Sequence, residues 1–259
     1  MATRMSVLPT ISSSRKYGGV KDGRFPALLR RVFDYRQMDF EAALDQLTAL
    51  VSTEPKRAYI SSYYRKQTKN QWARDDPGFL VIQMGLVALG NLFYAIIFES
   101  PSLWGYTWSM FYGLIIDWLL IGVIAASIGS FFANKYLRQY HSHTVEQSVE
   151  WLYAFDVHVN GFFVSYLVTY LLQGLLMPLL LGHGFFSAFL SNTLYAAAFL
   201  WYFYITYLGY TALPFLGQTQ VFLWYPGVTV AFLWALSVIL DLVGVPFNMT
   251  RIIMGFHYA

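Results

Sequence analysis

FLVIQMGLVALGNLFYAIIF, residues Phe79 to Phe98, runs for twenty residues without a formal charge. At 1.5 Å per residue such a run makes a helix about 30 Å long, which matches the hydrocarbon thickness of a bilayer. A start signal precedes it. Asp76 is placed to cap the exposed amides of the coming helix, Pro77 stands where no amide partner is needed, and Asp75 with Asp76 faces the positive end of the helix dipole. Trp72, just upstream, suits the headgroup level.

Working outward, four more apolar runs follow: 108–132, 157–181, a long 185–213, and 221–243. The 185–213 run is too short for two spans of about 20 residues and is read as one tilted span. Composition agrees. Of the 259 residues, 57% are hydrophobic and only 12% charged, against about 25% charged in a soluble domain. The expected fold class is therefore all-α: a polytopic membrane protein with five transmembrane helices and amphipathic helices in a cytosolic amino-terminal region. The absence of cysteine excludes disulfides, thiolate metal sites and a cysteine nucleophile.

Charge supplies the orientation. Residues 1–78 hold 14 of the 17 Lys and Arg and 8 of the 14 acids, so this segment carries +6 and the remainder −3. Basic residues close to spans stay on the cytoplasmic side. With the amino end inside, Lys135 and Arg138 join that side and Arg251 alone lies outside. The expected divisions are a disordered tail at 1–24, a basic cytosolic region at 25–78, the five-span domain at 79–243 and a lumenal tail at 244–259. That tail holds a single glycosylation sequon, Asn248-Met249-Thr250, too near the bilayer for modification. No secretory signal, lipidation cysteine or internal repeat is visible.

Within 25–78, Pro26 to Phe33 has the pattern of a short amphipathic helix. Asp39 caps a clearer one, in which Phe40, Leu44, Leu47, Leu50 and Val51 recur at three- and four-residue steps until Pro55. Neither is long enough to span. Two readings stay open: a helix lying on an anionic leaflet, flanked by Arg30, Arg31, Arg36, Lys56 and Arg57, or a helix packed on the protein's own bundle.

Polar groups within the spans are few. Asp117, near the middle of the second, costs at least roughly 2.5–3.5 kcal/mol unless paired, protonated or wet; a proton or cation relay and a structural hydrogen-bonded acid are its two readings. Gly122, Ala126 and Ser130 allow close helix approach. On the third span Gly161, Ser165, Thr169 and Gln173 line one face, with Asp156 and Asn160 at its cytoplasmic mouth, and Asn192 is placed to partner that stripe from the fourth span. His141 and His143 with Glu146 make at most a weak metal site, so none is assigned, and no cofactor is implied. No phosphate loop, nucleophile elbow or paired His and acid appears, and no catalytic residue is assigned.

The run Tyr64-Arg65-Lys66-Gln67-Thr68-Lys69, followed by Gln71-Trp72-Ala73-Arg74-Asp75-Asp76-Pro77, resembles the signature of the Unc-fifty family of Golgi membrane proteins. Gln37–Phe40, Ser130–Leu137, Val149–Trp151, Tyr153–His158, Asn192–Leu194, Leu208–Tyr210 and Ala212–Leu216 are similar to its other blocks, in the same order. The resemblance implies a five-span Golgi protein with a cytosolic amino end that assists membrane protein trafficking. It also implies links to surface delivery of nicotinic acetylcholine receptors, to Arf exchange factors and to RNA binding.

The expected function is thus a non-enzymatic adaptor. The stretch 63–76, the loop 134–156 and the turn at Pro214 would form one cytosolic face, with Arg65, Lys66, Lys69, Trp72, Arg74, Asp75 and Asp76 binding trafficking proteins or cargo. Two alternatives stand beside it: a channel, transporter or intramembrane enzyme using Asp117, Asp156, Asn160 and Gln173, and RNA binding by the basic amino-terminal region.

Overall fold

The computed structural model describes residues 38–98, 102–139, 146–245 and 247–258. The leader, the helix expected at Pro26–Phe33, the cations Arg30, Arg31 and Arg36, and the His141/His143 pair lie outside them.

Among the described residues two helices precede the spans: α1 (Phe40–Val51) and α2 (Ile60–Lys69), joined through a 3₁₀ turn at Pro55–Tyr59. Five helices long and apolar enough to cross a membrane follow: α3 (Gly78–Phe98), α4 (Leu103–Leu137), α5 (Trp151–Leu180), α6 (Phe185–Thr211) and α7 (Val221–Leu242). A last helix, α8, covers Met249–Tyr258. The chain is an all-α polytopic membrane protein, as its apolar runs predict. Among the described residues the β-type pairing is one isolated bridge, Arg138 to Leu216.

Large apolar side chains are exposed along every span, from Leu89 on α3 to Phe232 on α7, because lipid rather than water surrounds them. The interior is drawn from small, β-branched and aromatic residues such as Ala126, Ala133, Val159, Ile205 and Tyr210, and small residues are what let helices approach closely when no hydrophobic drive separates helix from solvent. A chain of neighbours α4–α5–α6–α7 builds the bundle, and α3 packs beside α4 and α5.

Apolar length underestimated two spans. α4 runs for 35 residues and α5 for 30, because hydropathy marks only the part facing oil. Asn134, Tyr153 and Asp156 extend the helices by finding partners in the protein. α4 opens into π-helical turns at Gly113–Leu120, around Asp117. Gly113 is where Asn91 of α3 leans on α4, too close for a Cβ.

We call the end of the bundle that gathers residues 78, 137, 151, 211 and 221 the motif end, and the other the far end. Of the two readings for α1, the structure shows packing on the bundle: Asp39 accepts the amide of Ala42 (2.9 Å), Ala43, Leu47 and Leu50 are buried, and Gln46 Nε2 reaches Asn160 Oδ1 on α5 (3.0 Å). Phe40, Leu44 and Val51 remain exposed on its outer side.

Candidate functional site

The motif from Tyr63 to Asp76 divides into an outer helix and an inner strap. α2 ends at Asn70, whose left-handed backbone (φ 53°) an Asn tolerates better than most residues. The chain then turns under the bundle. Trp72, Ala73 and Arg74 are buried, which corrects the expectation that Trp72 and Arg74 present themselves to a partner.

The bundle holds the strap through its amides, the Trp72 ring and the Arg74 side chain, although Trp72 Nε1 and Arg74 Nε and Nη1 have no hydrogen-bond partner. The amides of Trp72 and Ala73 point at the Glu150 carboxylate (3.3 and 3.5 Å), ahead of α5. The Trp72 ring stands edge-on to Tyr63 and Tyr153 and tilted against Phe215, with centroids 6.1–6.4 Å apart. The Arg74 amide donates to Asp156 Oδ2 (2.6 Å), its Nη2 donates to Asn160 Oδ1 (3.1 Å), and its guanidinium lies over the Phe79 ring at 4.2 Å. Arg74 Nε faces Asp156 Oδ1 at 3.8 Å, beyond hydrogen-bond range. Burial pushes the Arg74 guanidinium below its usual value and the Asp156 charge pulls it back up; an arginine starts high enough to stay protonated.

The three segments predicted to share a face do meet. Trp72 joins the motif to Tyr153 and Phe215, Asn134 exchanges two hydrogen bonds with Val149 (2.8 and 3.0 Å), and the Gln139 amide donates to Phe215 O (2.9 Å). Tyr59, unremarked in the sequence, donates its hydroxyl to Ile205 O (3.0 Å), and burial pushes that hydroxyl's pKa up. Asp76 Oδ1 accepts the amide of Asp39 (3.3 Å), so it ties α1 to the start of α3. A Cβ on Gly78 would press on Asp76 Oδ2 at 3.1 Å and on Asp39 O at 3.3 Å, so these neighbours would have to give by a few tenths of an ångström.

Facing outward are Tyr63 (50% exposed) and Tyr64 (64%), with Lys69 exposed and Lys66 half-buried beside Trp72. Lys69 is paired with Asp75. Arg65 is absorbed locally by Ser61, Ser62 and Trp72 O. A cleft of 410 Å³ between α1, α2 and the strap is lined in part by Asp45, Arg57, Tyr64, Arg65, Arg74 and Asp75, and Lys56 and Arg57 are exposed near it.

The other intramembrane polar residues do not assemble into one site. Asp156 and Asn160, on α5, hold the strap, whereas Gln173 lies about 20–25 Å further along α5 at 1.5 Å per residue, fully buried with both amide atoms unpartnered. Asn192 bonds not to the α5 stripe but to the tail, through Phe247 O (2.7 Å) and the Met249 amide (3.1 Å); Ser165 takes the cross-helix contact, to Ala198 O (3.2 Å). Asp117 pairs with His257 of α8, Oδ2 to Nε2 3.3 Å. α8 packs back on the far end: Arg251 donates twice to Leu181 O (2.8 and 3.1 Å) and Asn248 to Leu180 O (2.7 Å). The sequon is consequently shut away, with Asn248 and Thr250 both buried. Ile252, Ile253 and Phe256, at helical spacing, were the available signal for α8.

A five-helix membrane bundle with an amino-terminal collar strapped beneath one end is the class of protein that these features define. The chain belongs to the UNC-50 family, whose model matches residues 28–258. It is 42% identical to the Protein unc-50 homolog of Dictyostelium discoideum over 96% of this chain and 92% of that one. It is 36% identical to the human Protein unc-50 homolog (97% and 92%) and 37% identical to Protein unc-50 of Caenorhabditis elegans (89% and 73%). No solved structure matches.

Proposed function

We propose that the protein is a non-enzymatic adaptor of the Golgi membrane, its motif end in the cytosol, where it joins membrane protein cargo to a soluble trafficking regulator of the Arf exchange-factor kind. The Golgi setting and the kind of regulator come from the family resemblance. One observation carries the reading: the strap, itself fastened to the bundle, holds the end of α2 through Trp72 and Asp75 while leaving Tyr63 and Tyr64 exposed beside Lys66 and Lys69, outside the spans. Aromatic side chains on a preorganised surface are the anchors of protein interfaces, since they bury much area for few rotamers. Basic residues cluster at this end, which supports its cytosolic placement. Lys56 and Arg57 add attraction to anionic headgroups of about 1 kcal/mol each. The revised contact set is Tyr63, Tyr64, Lys66 and Lys69, with Trp72 and Arg74 as its foundation.

Proximity labelling from the motif end of the full chain in intact cells tests this. Tyr64→Ala with Lys66→Glu is expected to cut labelling of cytosolic trafficking proteins at least tenfold while location and thermal stability hold. An unchanged labelled set rules the adaptor face out, and labelled RNA lost steeply with salt instead would favour the nucleic-acid alternative.

A further inference from the structure

The cleft of 410 Å³ between α1 and α2 holds two opposite charges that the fold leaves unused. Asp45 lies on α1 one turn from Ala42 and Ala49, whose small side chains keep that wall open. On the other wall Arg57, in the 3₁₀ turn, leads at helical spacing into Ser61, Tyr64 and Arg65 of α2. Asp45 and Arg57 are both exposed, and among the described residues neither side chain is ion-paired or hydrogen-bonded, to the other or to a third group. The remaining charges on the cleft are engaged: Arg65 by Ser61, Ser62 and Trp72 O, Arg74 by Asn160, Asp75 by Lys69 and Asp76 by the Asp39 amide. A simple anion drawn to Arg57 would meet the charge of Asp45, and a simple cation drawn to Asp45 would meet that of Arg57. The site suits a ligand that carries both signs.

We propose that this cleft binds the headgroup of an ethanolamine phospholipid, with the phosphate on Arg57 and the primary ammonium on Asp45. A guanidinium offers phosphate paired donors in a matching fork, and Arg65, fixed by neutral oxygens, adds a second cation to the same wall. A primary ammonium brings three N–H donors to the carboxylate, whereas the quaternary ammonium of a choline headgroup brings none. A serine headgroup adds a carboxylate where Asp45 already stands, and phosphatidic acid leaves Asp45 without a partner. The volume lies within the roughly 300–1,000 Å³ of ligand pockets. Phe79, at the head of the first span, also lines the cleft, so a headgroup seated there lies at the level where the hydrocarbon begins. Free phosphoethanolamine compounds share the polar chemistry but make no use of that position. Binding of this kind requires only that the bundle spans a bilayer, and it is independent of whether a trafficking protein docks on Tyr63 and Tyr64.

Native mass spectrometry of the full-length protein in detergent provides the test, titrated separately with phosphatidylethanolamine, phosphatidylcholine, phosphatidylserine and phosphatidic acid of identical acyl chains. Phosphatidylethanolamine is expected to fill one site roughly fivefold more tightly than each of the others, a difference of about 1 kcal/mol. Affinity should fall with each methyl group added to its nitrogen, the fully methylated lipid being phosphatidylcholine. Arg57→Gln and Asp45→Asn should each bring phosphatidylethanolamine down to the phosphatidylcholine level while the unfolding temperature holds, since both side chains are exposed and unpaired. Should Arg57→Gln not fold, Asp45→Asn decides. Glycerophosphoethanolamine, the same headgroup without chains, should leave the lipid bound at equal concentration; if it displaces the lipid there, the free compound is the ligand and the lipid assignment falls. Equal binding of the ethanolamine and choline lipids, phosphatidic acid or phosphatidylserine binding as tightly as phosphatidylethanolamine, or a preference that survives in folded Asp45→Asn overturns the proposal.

Discussion

The main-chain amide of Arg74 donates to Asp156 Oδ2 at 2.6 Å, which fastens the strap beneath the bundle to the second turn of α5. The same carboxylate is the nearest acid to the Arg74 guanidinium, so one side chain holds both the backbone and the charge of its partner. Removing one member of a buried pair typically costs about 3–5 kcal/mol, because the other is left uncompensated. Asp156→Leu is expected to destabilise the chain by that order. Arg74→Met in that background should recover part, the remainder being the orphaned amide at roughly 1–3 kcal/mol. Thermal unfolding in nanodiscs checks it; effects that add to within about 0.5 kcal/mol would show that the two residues do not act together.

Trp72 gives a prediction of a different kind, in which stability rather than recruitment should fail. Its ring is enclosed by Tyr63, Tyr153 and Phe215, and truncating a buried Trp to Ala costs about 3–5 kcal/mol. Trp72→Ala should therefore loosen α2, read as faster amide exchange over residues 60–70. Tyr64→Ala, on the exposed side, should leave that exchange as it is. Loss of recruitment without faster exchange in Trp72→Ala would return Trp72 to the contact surface.

These two residues show where sequence reading succeeds and where it stops. The count of five spans, the Asp39 cap and the meeting of the 63–76, 134–156 and 214 segments were all legible, because length, capping chemistry and polar clustering act locally or repeat along the chain. The side on which Trp72 and Arg74 lie was not. Both residue types favour interfaces, and only the long-range partners Glu150, Asp156 and Phe215 decide that they face inward. The alternatives for Asp117 stayed open for the same reason: its partner, His257, sits at the far end of the sequence on a helix too short to register as a span.

Lys69 and Asp75 close the strap over the end of α2. Partial burial pushes the Asp75 carboxyl up, but the hydrogen bond and charge of Lys69 outweigh it and hold its pKa below the usual value. A carboxyl depressed in the folded state contributes stability above its unfolded pKa and loses it as pH falls through the folded one. The strap should accordingly loosen on acidification below the ordinary carboxylate range of about 4. Amide exchange over residues 66–76, corrected for intrinsic rates, measures this, and Asp75→Asn should abolish the pH dependence. Because Lys69 is exposed and Asp75 only half-buried, the effect should be small and weaken with salt. A pH dependence that persists in Asp75→Asn assigns it elsewhere.

Asp117 lies fourteen residues into α4, about 20 Å along the helix at 1.5 Å per residue, where an unpaired acid costs at least roughly 2.5–3.5 kcal/mol. His257 meets it at 3.3 Å, and the Tyr112 ring stands edge-on to the imidazole with centroids 5.2 Å apart. α8 is therefore fixed at both ends, by Arg251 on Leu181 O and by His257 on Asp117. If this acid is structural, His257→Ala should destabilise the chain and release α8 to amide exchange. Asp117→Asn in the His257→Ala background should then restore most of the loss, since it removes the carboxylate that lacks a partner. A relay predicts otherwise: Asp117→Asn alone would abolish function while stability held. Measuring unfolding and recruitment for the two single variants and the double separates these cases, and strict additivity in unfolding would show that the pair carries no coupling.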